Sequence, residues 1–330
     1  MKSSSRIWIH VGLLAVASGL AWHMSSRTEE SSNASSQTTD LWKVAPDTIR
    51  AVAFESSDHK ILVEPKKDKV GEYCVVTSES LSSPEASDAG VSTVPKPQVK
   101  KYISVDAATK MLEGLARLKV VRTLGKLEKT RFPEFGLDKP TGTLKIDFAN
   151  GPRTIIVGAS TPGGGNYYIK DEQSGVVQVA VGDPFSALQY ADARMSERDL
   201  HGFKAEEPVR ITIRASGKQR QLVKVPSKSN AWADASAPAA QDETASNWVS
   251  KLAQFHVTGY FETLASAPTP ILRVEYGDTK SELGYIELFR VNEGGEGSKY
   301  VVRTERARWY AEVVRSQAEQ IEKDVALVTK

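Results

Sequence analysis

Residues 7–24 are apolar almost without a break, with His10 and His23 near the two ends and Ser18 inside. Such a run reaches the lower limit for a helix that spans a bilayer. Residues 25–40 hold no large apolar side chain. They cannot bury a core and read as a flexible stalk with a mean reach of about 20 Å. The first lobe opens near Leu41. Val52 and Phe54, then Ile61 and Val63, alternate with polar neighbours as paired strands do. Residues 78–100, rich in Ser, Pro, Ala and Lys, read as a loop or insertion. Ser104 is placed to cap a helix with Asp106 in its first turn, and Ala108, Met111, Leu112, Leu115 and Leu118 follow at helical spacing as a core stripe.

Phe135-Gly136-Leu137-Asp138-Lys139-Pro140 is a turn. Leu144, Ile146 and Phe148 alternate with Lys145 and Asp147 as in a strand with one buried face, and Asn150-Gly151 signals a hairpin to residues 154–157. After the turn Thr161-Pro162-Gly163-Gly164-Gly165, residues 167–170 and 176–181 form another hairpin. Asp183-Pro184 opens a helix, with Asp as its cap.

The order then recurs. Ile211 and Ile213 alternate, residues 222–225 follow, and residues 227–246 form a polar, Ala-rich loop. Trp248, Leu252 and Phe255 share a helical face; Leu272, Val274 and Tyr276, then Ile286 and Leu288, continue the sheet. Residues 300–303 and 309–313 are the last strands, and Val314, Ala318, Ile321 and Val325 mark a closing amphipathic helix. Leu115-Ala116 recurs as Leu252-Ala253, and Leu144-Lys145-Ile146-Asp147-Phe148 as Leu272-Arg273-Val274-Glu275-Tyr276. Tyr168-Ile169-Lys170 has its counterpart in residues 300–303. Offsets of roughly 130 residues are too long for a small-repeat solenoid and point to a duplicated lobe. The expectation is an α+β protein of two similar antiparallel β-sheet lobes, each with packed helices, behind an N-terminal transmembrane helix. Its parts are an anchor or signal segment (1–24), a stalk (25–40), a first lobe (41–205) and a second lobe (206–330).

A chain of 330 residues, 40% hydrophobic and 25% charged, can fill two such cores. Lys+Arg 43 against Asp+Glu 41 leaves a net charge of +2, without the basic excess of a dedicated nucleic-acid binder. No nucleic-acid partner is expected. The alternating charges of residues 194–198 and 303–308 read as solvated faces. The single cysteine, Cys74, can form no internal disulfide, and its apolar neighbours Val75 and Val76 mark it as a buried small hydrophobe.

Lys2 and Arg6 precede the apolar run, which keeps the short N-terminus cytoplasmic and exports the rest. The membrane is thus one expected partner. The localisation is single-pass in an inner (cytoplasmic) membrane, with the bulk in the periplasm or extracytoplasmic space. Ala15-Val16-Ala17 before Ser18 also fits a signal-peptide cleavage site, so anchor and cleaved signal both stand.

Catalytic motifs are missing: there is no His-Glu-x-x-His, no P-loop and no Gly-x-Ser-x-Gly. His59 reads as an exposed turn residue and His256 as a boundary histidine, and His201 sits in no motif. Gly163-Gly164-Gly165 leads into a strand rather than a helix, which makes it a hairpin turn and not a phosphate loop. Asp147 and Glu275, at equivalent positions, fall on the solvent faces of strands. Tyr167, Tyr168, Trp232, Trp309 and Tyr310 are candidates to line a ligand groove. No catalytic, cofactor-binding or metal-binding residue and no cofactor is assigned.

The Phe135 to Pro140 turn, with Val157-Gly158, the Thr161 to Gly165 turn and Tyr167-Tyr168, resembles the domain of unknown function 4340 family. Its members carry an aromatic-Gly-Leu-Asp-x-Pro turn, then strands, then a Gly-rich turn before Tyr. Leu118-Lys119-Val120-Val121 at the end of the preceding helix also fits. The resemblance covers residues 41–200; the second lobe lacks the Gly-Leu-Asp-x-Pro turn and follows by element order alone. It implies an N-terminally anchored bacterial envelope protein whose gene often lies beside an ABC-type transport system related to gliding-motility auxiliaries. No catalytic residues are assigned to that family, so none is carried over. The expected function is a non-enzymatic accessory protein with protein partners in a membrane complex. The alternatives are a module binding an envelope glycan or small ligand between the lobes, and a hydrolase built on carboxylates or on His59, His201 or His256 with acids.

Overall fold

The computed structural model describes residues 38–81, 97–226, 228, 230–264, 268–292 and 298–330. Two antiparallel sheets, each with helices against one face, account for most of them. In chain order the first half contains β1 (Thr39–Asp40), β2 (Ile49–Glu55), β3 (His59–Lys67), β4 (Glu72–Ser80), β5 (Gln98–Ser104) and helix α1 (Asp106–Ala116). Then come β6 (Lys119–Lys126), β7 (Gly142–Phe148), β8 (Gly151–Ser160), β9 (Asn166–Asp171), β10 (Val176–Val181), α2 (Asp183–Gln189) and α3 (Ala191–Arg194). The second half contains β11 (Arg210–Ala215), β12 (Lys218–Lys224), β13 (Trp232–Asp234), α4 (Glu243–Leu252) and β14 (Val257–Phe261). It closes with β15 (Leu272–Gly277), β16 (Glu282–Asn292), β17 (Ser298–Thr304), β18 (Tyr310–Val313) and α5 (Arg315–Val328).

The first sheet runs β1-β6-β10-β9-β8-β7-β2-β3-β4-β5 and the second runs β13-β12-β11-β15-β16-β17-β18-β14. Without its edge strands β1 and β5, the first order read backwards, β4-β3-β2-β7-β8-β9-β10-β6, matches the second position by position. In both halves one helix precedes β6 or β14 and another follows β10 or β18.

Alternation decides which face is buried. Val52, Phe54, Ile61, Val63, Leu144, Ile146, Ile155 and Val157 point to one side of the first sheet, where Met111, Leu115, Phe185 and Leu188 of α1 and α2 cover them. Ile211, Ile213, Val274, Ile286, Leu288 and Val302 do the same beneath Trp248 and Leu252 of α4 and Ile321 and Val325 of α5. Each such side chain contributes roughly 1.5–3 kcal/mol. Two of the six Trp side chains, one against each helix layer, find backbone acceptors: Trp42 Nε1 donates to Leu115 O (2.7 Å) and Trp248 Nε1 to Ile321 O (3.1 Å).

Several expectations need correction. Thr39 and Asp40, assigned to the stalk, pair with Val120 and Lys119 as β1. The insertion at 78–100 is framed by strand: β4 runs on to Ser80, which pairs with Gln98 of β5, and residues 82–96 lie outside the described residues. The 227–246 loop contains β13, paired with β12, and its Trp232 is core because Ser246 Oγ and the α4 packing close over it. The position before α1 is Val105, yet Ser104 Oγ still accepts the Ala108 N–H (3.2 Å). Phe148 pairs with Gly151, so the hairpin turn is Ala149-Asn150 and Gly151 begins β8. Gly182 occupies the cap of α2, with Asp183 inside the helix. Among the described residues no helix is long and apolar enough to cross a membrane. The apolar run 7–24 and the stalk up to residue 37 lie outside them.

Candidate functional site

A largely buried polar constellation lies where the two sheets meet, around the turn between β17 and β18 and the connection from α3 to β11. Three charged residues of the turn, Glu305, Arg306 and Arg308, each reach a different part of the molecule. Glu305 accepts from His201 Nδ1 (3.1 Å) and from the N–H groups of Gly202 (3.1 Å) and Tyr285 (3.0 Å). A carboxylate only accepts, so His201 carries its proton on Nδ1 here. The His201 ring stacks on Phe203 (4.6 Å) and meets Tyr276 edge-on (4.9 Å). Burial works against the Glu305 charge, but the His201 hydrogen bond and the backbone donors hold its carboxyl below the ordinary range.

Arg306 Nη2 donates to Asp106 at the start of α1 (2.9 Å) and to Glu197 in the connection (3.0 Å). Its side chain is 13% exposed and that of Glu197 9%. Burial disfavours this guanidinium charge, and Asp106 and Glu197 outweigh it, raising its affinity for the proton. Glu197 is fixed from every side: its carboxylate accepts from Val105 N and Asp199 N, its N–H donates to Ile103 O, and its C=O accepts from the Tyr260 hydroxyl (2.6 Å). Arg308, whose backbone has φ 53°, directs Nε to Asp68 in the β3–β4 turn (3.3 Å) and lies over the Tyr73 ring (5.0 Å). A non-glycine residue takes that conformation at a cost. Here the cost is offset by Asp68, by Tyr73 and by a hydrogen bond from Nη1 to Arg306 O (2.8 Å). The charges of 303–308 are therefore not simply a solvated face; Arg306 and Arg308 fasten one sheet to the other.

The histidines stay apart in their partners. His59 is not the exposed turn residue expected: it opens β3 with its side chain only 17% exposed, and Ser56 Oγ (3.1 Å) and Asp58 Oδ1 (3.0 Å) of the preceding turn both approach Nδ1. A nucleophile–base–acid relay needs nucleophile and acid on opposite nitrogens. In this turn they share one, and the buried Nε2 has no partner among the described residues. His256 meets Gln317 (3.2 Å). Asp147 is exposed on the first sheet, whereas Glu275 is held on the second by Arg214 and by Arg273 Nε (2.9 Å). The aromatic candidates line no common groove. Tyr167 donates to Gln189 (3.0 Å), Tyr168 meets Phe135 edge-on (5.0 Å), Tyr310 meets Phe289 (5.5 Å), and Trp232 is core. Among the described residues no group of three or more His, Cys, Asp or Glu is placed to hold a metal.

Among the described residues each half has a concavity that opens to solvent. One of about 550 Å³ lies between α1 and α2, with Met111, Leu118 and Pro184 beneath and Lys110 and Lys119 at its rim. The other, about 390 Å³, lies between α5 and the strands β16 and β17.

The Phe135 to Pro140 turn proves to be a packing device. A 3-10 turn (Lys129–Phe135) ends at Gly136, in the left-handed region at φ 64°, and Leu137 is buried behind it. The turn sits on the irregularity in β8 after Val157, where Thr141 Oγ1 donates to Gly158 O (2.8 Å). A Cβ on Gly158 would collide with Phe135 O, and one on Gly136 would lie 2.8 Å from Ala159 N. The profile described as domain of unknown function (DUF4340) matches residues 103–271. The chain belongs to the DUF4340 family. The DUF4340 match starts later than the resemblance to residues 41–200 indicated, and it continues past the junction through β14 to the residue before β15. It thus includes Glu197, His201 and Tyr260, but not the 305–308 turn that they contact. No curated protein and no solved structure matches the chain.

Residue types and spacing singled out none of Glu197, Glu305, Arg306 or Arg308. The available signal was an Arg-Ala-Arg run between two short strands. Which turn of a duplicated sheet faces the other sheet is set by tertiary packing and leaves no period in the sequence.

Proposed function

We propose that this DUF4340 protein is a non-enzymatic accessory subunit of a membrane complex, an ABC-type transport or gliding-related envelope system. In this reading residues 1–24 anchor it in the inner membrane, residues 25–38 tether it closely, and two repeats of one unit form an extracytoplasmic body. The observation that carries the reading is the use made of the charged side chains at the junction. Asp68, Asp106, Glu197, Arg306 and Arg308 are engaged in holding one sheet to the other, and His201 and Glu305 fix the turn that carries the two arginines. A body fastened in this way can present a fixed surface to a partner, and nothing in the fastening needs a substrate. Tethering compensates for weak contact, because a short linker keeps the local concentration of the body at its partner high.

The test is crosslinking in intact membranes followed by affinity recovery of the full-length chain, beside an exported form lacking residues 1–24. Recovery of transporter subunits with the full-length chain alone, or more strongly with it, supports the proposal. A full-length chain that stays soluble, or that crosslinks to no membrane protein, overturns it.

A further inference from the structure

The concavity of about 390 Å³ beside α5 has an asymmetry between donors and acceptors. Its lining carries two carboxylates, and each already has a cationic partner. One oxygen of Glu322 takes the Arg290 guanidinium and the other takes the Tyr300 hydroxyl (2.6 Å), while Glu319 takes Arg315 Nε (2.7 Å). These contacts hold the Glu322 carboxyl below its ordinary range: burial works the other way, and Arg290 and Tyr300 prevail. The cations are not used up. A guanidinium carries five N–H donors and an ammonium three, so Arg290, Arg315 and Lys323 offer more N–H groups than two carboxylates can accept. Three cations against two acids also leave the lining with a positive excess.

A site whose carboxylates are each paired with a cation, and whose N–H donors outnumber its acceptor positions, selects a ligand made of acceptors. Guanidinium forks match tetrahedral oxyanions, and a lysine adds a point charge. We infer that this concavity binds a phosphate group, with Arg290, Arg315 and Lys323 as its donors. Arg290 is the fixed member, because Glu322, itself held by the Tyr300 hydroxyl, takes its guanidinium, which lies over the Tyr300 ring. Arg315 and Lys323 close around the group from α5. The volume exceeds that of a bare phosphate and leaves room for part of the molecule that bears it. The bearer is either a soluble phosphorylated compound or a phospholipid headgroup, which share this chemistry.

The experiment uses the full-length chain and follows its thermal unfolding midpoint. In neutral detergent micelles, inorganic phosphate and glycerol phosphate are titrated to about 100 times the concentration of half-effect, against chloride at equal ionic strength. In parallel the chain is placed in phosphatidylcholine nanodiscs with and without phosphatidic acid. A rise with the soluble phosphates identifies a free phosphorylated ligand, and a rise only with phosphatidic acid identifies a headgroup. The exposed positions allow a variant that still folds, R315Q with K323Q. It should keep the unliganded midpoint and weaken the response by at least about tenfold. No rise over chloride in any arm overturns the inference, as does an equal rise in the double variant.

Discussion

Glu197 and Arg306 lie 109 positions apart in the chain, and their charged groups meet at 3.0 Å with little exposure to water. Removing the cation leaves Glu197 buried with its charge uncompensated, which typically costs 3–5 kcal/mol. Arg306→Gln should therefore lower the stability of the chain by about 3 kcal/mol, near the low end because Asp106, the other partner, is exposed to solvent. Urea unfolding of both proteins measures it. A difference below about 0.5 kcal/mol would assign the clasp no more weight than a surface pair.

The sheets and their buried faces were legible because a strand with one wet face writes its alternation into the sequence, as at Leu144, Ile146 and Phe148. Helix stripes such as Met111, Leu112 and Leu115 were legible for the same reason. Short strands are not: Trp232 to Asp234 is too brief to show a period, and by sequence Trp232 looks like a groove aromatic although it is core. The junction was illegible for a different reason. Arg306 and Arg308 look like any charged turn, and only the placement of α1, of the β3–β4 turn and of the connecting segment against them removes them from water.

The family-like turn makes a steric prediction. Gly136 needs φ 64° and a close approach to Ala159, and Gly158 faces Phe135 O. Gly158→Ala should destabilise by about 2 kcal/mol or more, since the obstruction is backbone and cannot swing away. Gly164→Ala is the control: its φ, unlike that of Gly158, is positive at 76°, but no atom lies within 4 Å of the added carbon, so only a conformational cost of about 1 kcal/mol remains. Equal losses at the two sites in thermal unfolding would remove the packing argument.

Glu305 gives a pH dependence of definite sign. Its folded carboxyl titrates below the ordinary value, so the folded state holds the proton less tightly than the unfolded chain does. The stability this contributes is present above about pH 4.3 and is lost as pH falls through the lower folded value. Other carboxyls, Asp68 and Glu275 among them, are depressed too, so the difference between wild type and Glu305→Gln isolates this one. Urea unfolding between about pH 6 and pH 3 should show the gap between the two proteins narrowing with acid. A gap that stays constant would mean that Glu305 acts by shape rather than by charge.

Cys74 reports on the first sheet. It is 1% exposed, and burial, with the nearby Glu72 charge, pushes its thiol up to about 12. The thiolate is the reactive species, so an aromatic disulfide reagent at mild pH should label the native chain only through opening. Labelling should be at least about a thousandfold slower than in denaturant. Side chains alternate along a strand, so Tyr73, next to Cys74 on β4, points to the opposite face, where Arg308 covers it. That geometry separates two kinds of opening. If β4 opens by losing its contact with the second sheet, Arg308→Ala accelerates labelling strongly. If it opens only with the whole core, labelling accelerates no more than the loss of global stability measured in urea. Rapid stoichiometric labelling of the unaltered native chain would contradict both, and with them the burial of Cys74 beneath α1.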